Sequence, residues 1–62
     1  MKVGDLVRLR NLHPEWGKFA LVTGVHITDI GLGQVYVLCA GGRSSIPWIK
    51  RAHYTEVLSE SR

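Results

Sequence analysis

Glycine or proline punctuates the chain at positions 4, 14, 17, 24, 31, 33, 41, 42 and 47. Only short apolar runs fit between these breaks, the spacing of a small all-β barrel or sandwich. In the first run, Asp5 to Arg10, Val7 and Leu9 alternate with Arg8 and Arg10, as in a half-buried strand. Asn11 to Gly17 reads as a loop with one helical turn, because Pro14 and Gly17 forbid a regular ladder, and it carries a half-exposed Trp16. Lys18 to Thr28 is the longest strand, with Gly24 marking a bulge or bend in its middle. Such a bend lets one strand serve both halves of a barrel. A glycine-rich turn at 29–33 leads to a third strand over Gln34 to Ala40. Gly41-Gly42 is a hairpin signal, since glycine takes positive φ freely. Arg43 to Trp48 is a fourth strand, with Pro47 at its end because it has no amide to donate. A 3₁₀ turn over Ile49 to His53 and a last strand over Tyr54 to Ser59 follow, with Val57 and Leu58 in or near the core. Glu60 to Arg62 reads as a polar tail.

This order predicts one domain over residues 1–62, an all-β, five-stranded SH3-like barrel with a short 3₁₀ turn before the last strand. A chain of 62 residues is enough for one domain. A domain this small buries only about 60% of its unfolded surface and has little material for a deep catalytic cleft. No apolar stretch nears the roughly 20 residues of a membrane-spanning helix, and no secretory h-region opens the chain. The expected location is the cytosol or a particle assembled there, with no membrane association.

Catalytic signals are absent. Asp5, Glu15, Asp29, Glu56 and Glu60 fall in turns or near the ends, and no motif pairs them. Ser44 and Ser45 lack a nucleophile-elbow pattern, and Gly31-Leu32-Gly33 is too short for a phosphate loop. The spacing of Cys39, His13, His26 and His53 predicts neither a nucleophile pair nor a metal site, and Cys39 reads as a small buried hydrophobe. No enzyme activity, cofactor, metal or small-molecule substrate is expected.

Two segments carry the functional reading. Phe19-Ala20-Leu21-Val22 and Val35-Tyr36-Val37-Leu38-Cys39 are apolar at every position, yet alternate residues of a strand point to opposite sides. One set fills the barrel. The other must face outward, and so small a chain has no second layer to cover it. An exposed patch of Phe19, Leu21, Tyr36 and Leu38, or of the opposite set, suggests a protein–protein interface or self-association. The basic residues support an alternative. Net charge is +3, Arg8 and Arg10 share a strand face, and Lys50 and Arg51 lie near Trp48 and Tyr54, with Lys18 and Arg43 as further cations. Cations beside aromatic rings suit single-stranded nucleic acid, and equally a solvated face that keeps the domain soluble.

Val3 to Val7 resembles the opening strand of SH3-like domains, and Gly17 to Val25 is similar to the glycine-hydrophobic pattern of KOW modules. Trp48 through Ser59 resembles the 3₁₀ turn and last strand of the same barrel. The resemblance implies that Trp16, Trp48 and Tyr54 gather on one face as a binding patch; the same rings read equally well as plugs of the barrel. Unlike ribosomal KOW modules, the chain lacks dense Lys/Arg loops. Lys2–Val7, Val35–Leu38, Gly41-Gly42 and Glu56–Glu60 also resemble segments of small proteins of tailed bacteriophages, particularly those of cyanobacteria and marine bacteria. That likeness implies a minor cement or accessory component of a phage particle, and no activity.

Overall fold

A computed structural model of the protein describes residues 1–60. Of the polar tail, residues 61 and 62 lie outside the described residues. Five antiparallel strands form one sheet: β1 (Leu6–Leu9), β2 (Phe19–Ile27), β3 (Gly33–Cys39), β4 (Gly42–Pro47) and β5 (Thr55–Ser59). Their spatial order is β4-β3-β2-β1-β5. The all-β expectation holds, and the loop before β2 carries its helical turn at Pro14–Trp16.

The link between β4 and β5 differs from expectation. A 3₁₀ turn starts at Trp48, not Ile49, and runs directly into a one-turn helix, α1 (Arg51–Tyr54). The Arg51 amide bonds to the Trp48 carbonyl, and the Thr55 amide and hydroxyl both reach the Arg51 carbonyl. Tyr54 therefore closes the helix and does not open the strand. The link packs against β3, β4 and β5 and so bridges the two edges of the sheet.

Alternation decides the core. Val7, Leu9, Ala20, Val22, Val35, Val37 and Ile46 are buried and form one cluster. Burying each larger aliphatic side chain contributes about 1.5–3 kcal/mol. The register of β2 against β3 slips between Val22↔Val37 and Gly24↔Tyr36, leaving Thr23 as the extra residue. This is the bulge that Gly24 signals in the sequence, and the glycine lies against the Tyr36 ring. A Cβ on Gly24 would stand 3.3 Å from the Tyr36 ring.

Val57 and Leu58 do not join the core. They are 37% and 47% exposed. β5 is an edge strand, and a second slip leaves Leu58 unopposed between Leu6↔Ser59 and Val7↔Val57. Asp5 is the opposite case, a carboxylate read as a turn residue that is buried. Its amide bonds to the Lys2 carbonyl and its Oδ2 accepts the Lys2 amide at 2.9 Å, which closes the turn before β1. Buried carboxylates persist when hydrogen bonds satisfy them.

Candidate functional site

The outward residues of β1 to β4 come together on one face. Leu6 stands opposite Leu21, Leu21 opposite Leu38, and Leu38 opposite Arg43. These pairs make an apolar row crossing three strands and ending in a guanidinium. Phe19 lies two residues from Leu21 on β2, and Tyr36 two residues from Leu38 on antiparallel β3, so the rings share the face and flank the row from opposite sides. The five apolar members are 40–53% exposed. Phe19, Leu21, Tyr36 and Leu38 are thus the outward set, while Ala20, Val22, Val35 and Val37 point inward. A shallow depression beside the row is lined by Thr23, Tyr36, Leu38 and Arg43.

Leu6 belongs to this face and the sequence reading missed it. The signal was present: Leu6 is in phase with Arg8, which the alternation of β1 already points outward. Arg8 in turn stands between Phe19 on β2 and Glu56 on β5.

Trp16, Trp48 and Tyr54 do not share the outer face. All three are half-buried and pack against the buried cluster on the other side of the sheet. The Trp16 carbonyl accepts the Ala40 amide and ties the first loop to the β3–β4 hairpin. Trp48 lies under the Arg51 guanidinium, 3.8 Å from the ring centroid, and Tyr54 meets His53 edge-on at 4.8 Å. The aromatic residues therefore divide: two on the open face and three backing the core.

The basic residues also divide. Arg10 donates from Nε to the His53 carbonyl at 3.3 Å and from Nη2 to the Ala52 carbonyl. Asn11, in the left-handed region at φ 58°, donates to the same His53 carbonyl at 3.0 Å. Together they satisfy carbonyls at the end of α1. Arg51 donates to the Trp48 carbonyl at 2.7 Å while stacked on its ring. These two arginines are engaged within the fold. Arg8, Lys18, Arg43 and Lys50 are exposed.

His13, His26 and His53 are exposed, and among the described residues no three His, Cys, Asp or Glu side chains gather into a metal-binding group. Cys39 is half-buried, with its thiol 3.3 Å from the Gly42 carbonyl. Among the described residues no helix is long and apolar enough to cross a membrane. A second, smaller depression beside β5 is lined by Met1, Arg51, Ala52, Thr55 and Val57.

Compared with known proteins, the chain matches no family model, no curated protein and no solved structure.

Proposed function

We propose that the protein is a non-catalytic interaction module that docks on protein through the outer face of its sheet. The observation that carries this reading is the continuous row Leu6, Leu21 and Leu38, with Phe19 and Tyr36 beside it, left open to water in a domain with no second layer. Each such side chain is already about half-buried, so completing its burial gains roughly half of the ~1.5–3 kcal/mol of full burial, before the cost of association. The fold is assigned to the SH3-like barrels. The strand order, the bent β2 and the helical turn before β5 support that assignment. The likeness to phage-encoded proteins supports a structural or accessory role in a particle assembled in the cytosol. Nucleic-acid binding is the alternative, and it draws on the exposed Arg8, Lys18, Arg43 and Lys50, without Arg10 and Arg51.

Photo-crosslinking tests the reading. A photoreactive residue at position 21 is expected to give protein adducts in the producing cell. The same residue at position 49, which is 66% exposed but off the face, is expected to give few. Equal yields at both positions would remove the docking face. Adducts to nucleic acid in place of protein would favour the alternative.

A further inference from the structure

We propose that the free edge of β4 takes up an extended, carboxylate-bearing segment of a partner protein as a sixth strand. The inference deepens the docking reading of the outer face, whose rim β4 forms, and rests on that reading for a partner that is protein.

The backbone sets the site. A two-residue turn, Ala40-Gly41, joins β3 to β4, and the strands pair without a slip from Cys39↔Gly42 to Gln34↔Pro47. The residues that flank a two-residue turn exchange both of their hydrogen bonds, and bonded and non-bonded pairs alternate from there. Gly42, Ser44 and Ile46 therefore turn their amides and carbonyls toward β3. Arg43, Ser45 and Pro47 turn theirs to the free edge. Pro47, which has no N–H, stands in the phase where an edge strand tolerates proline. Arg43 and Ser45 are exposed, and among the described residues no bond from a loop or side chain reaches their backbone. The link after β4 packs its rings on the core side of the sheet. The edge thus offers two amides and three carbonyls in a straight run, which an extended backbone complements. β5, the other edge, is broken by its slip.

The side chains set the chemistry of the occupant. In an antiparallel addition, the residue opposite Arg43 stands beside its guanidinium on the outer face. Arg43 is exposed, has no ion pair among the described residues, and has Leu38 on its other side. A carboxylate on the incoming strand completes that row. Ser45 is small, and Tyr36 stands directly beyond it on β3. The depression lined by Thr23, Tyr36, Leu38 and Arg43 opens beside this pair. A long apolar side chain opposite Ser45 reaches over the serine into it. The antiparallel direction puts the apolar residue two positions before the acidic one. One added strand is a small contact, below the ~1,200 Å² that bounds weak encounters, so half-saturation falls on the order of a millimolar.

NMR titration of the full chain with a short capped peptide, Leu-Thr-Glu flanked by threonines, provides the test. The Arg43 and Ser45 amide signals are expected to move, and their hydrogen exchange to slow about fivefold near saturation. The amides of Gly42, Ser44 and Ile46, already bonded to β3, change little. Methylating the backbone nitrogens of the peptide's leucine and glutamate abolishes the effect and leaves the protein untouched. Arg43→Glu weakens binding of this peptide about threefold and favours its lysine counterpart by a similar factor. Arg43 and Ser45 amides that stay unmoved at millimolar peptide overturn the proposal. So does equal binding of the methylated peptide, or a peptide preference that Arg43→Glu leaves unchanged. Shifts confined to Phe19, Leu21 and Leu38 overturn the edge and leave the docking face standing. Slowed edge amides, with no protein adducts from position 21, uphold the edge and overturn the face. Shifts of the same amides with protein concentration alone make the occupant a second copy and overturn a foreign segment.

Discussion

Gly33 enters β3 with φ of 150°, and a Cβ there would overlap the His26 carbonyl oxygen. The backbones of β2 and β3 approach so closely at this point that no side chain fits. Gly31, two residues earlier, also has positive φ, at 81°, but faces open space. The pair separates steric exclusion from conformational strain. Gly31→Ala should cost about 1 kcal/mol, the usual penalty of a left-handed alanine. Gly33→Ala should cost more than about 3 kcal/mol, because backbone must move. Urea denaturation of the two variants measures the difference. The sequence places both glycines in one turn and does not rank them. Ranking requires knowing that His26 and Gly33 sit near the end of the β2–β3 ladder.

The α1 turn is held at its end by residues from the other end of the chain. Arg10 and Asn11 lie just past β1, yet their donors reach the carbonyls of Ala52 and His53. A four-residue helix has almost no stability of its own, so such donors matter to it. Arg10→Ala should lower stability by about 1 kcal/mol. It should also speed amide exchange over 51–55 while leaving the central β2–β3 amides protected, as hydrogen exchange by NMR would report. The strands themselves were legible in the sequence, because alternation and turn residues are local signals. This contact was not. It joins positions more than 40 apart, and Arg10 next to Arg8 looks like one more exposed cation. The division of β2 and β3 into inner and outer sets was legible only as an alternative. A one-residue shift of a uniformly apolar strand exchanges its faces without changing its pattern. The inner set is made of Ala20 and valines, and the larger Phe19, Tyr36 and leucines stay outside.

Among the described residues, seven buried apolar side chains form the core on which the fold rests. Native stability of roughly 0.05–0.15 kcal/mol per residue gives such a chain about 3–9 kcal/mol in total. Ile46 is fully buried and is the one core residue contributed by β4. Ile46→Ala should cost about 2–5 kcal/mol, and Ile46→Val about 0.5–1.5. The first variant should then show a much lower thermal midpoint by calorimetry, and the second only a modestly lower one. The all-β fold class was readable from turn spacing and strand alternation, because both signals run the length of the chain. Where the three half-buried aromatic rings sit was not, because Trp16, Trp48 and Tyr54 lie on turns whose paths are set by long-range contacts.

The slip at Leu58 bears on how the sheet ends at its β5 edge. An edge strand is a template on which further strands can add without limit, and a bulge interrupts that template. On β5 the interruption falls after Val57, and on the opposite edge β4 ends at Pro47, which has no amide to offer. The β5 rim therefore lacks a long uninterrupted run, whereas β4 pairs with β3 without a slip from Gly42 to Pro47. The slip on β5 shortens the stretch on which another strand could add at that edge.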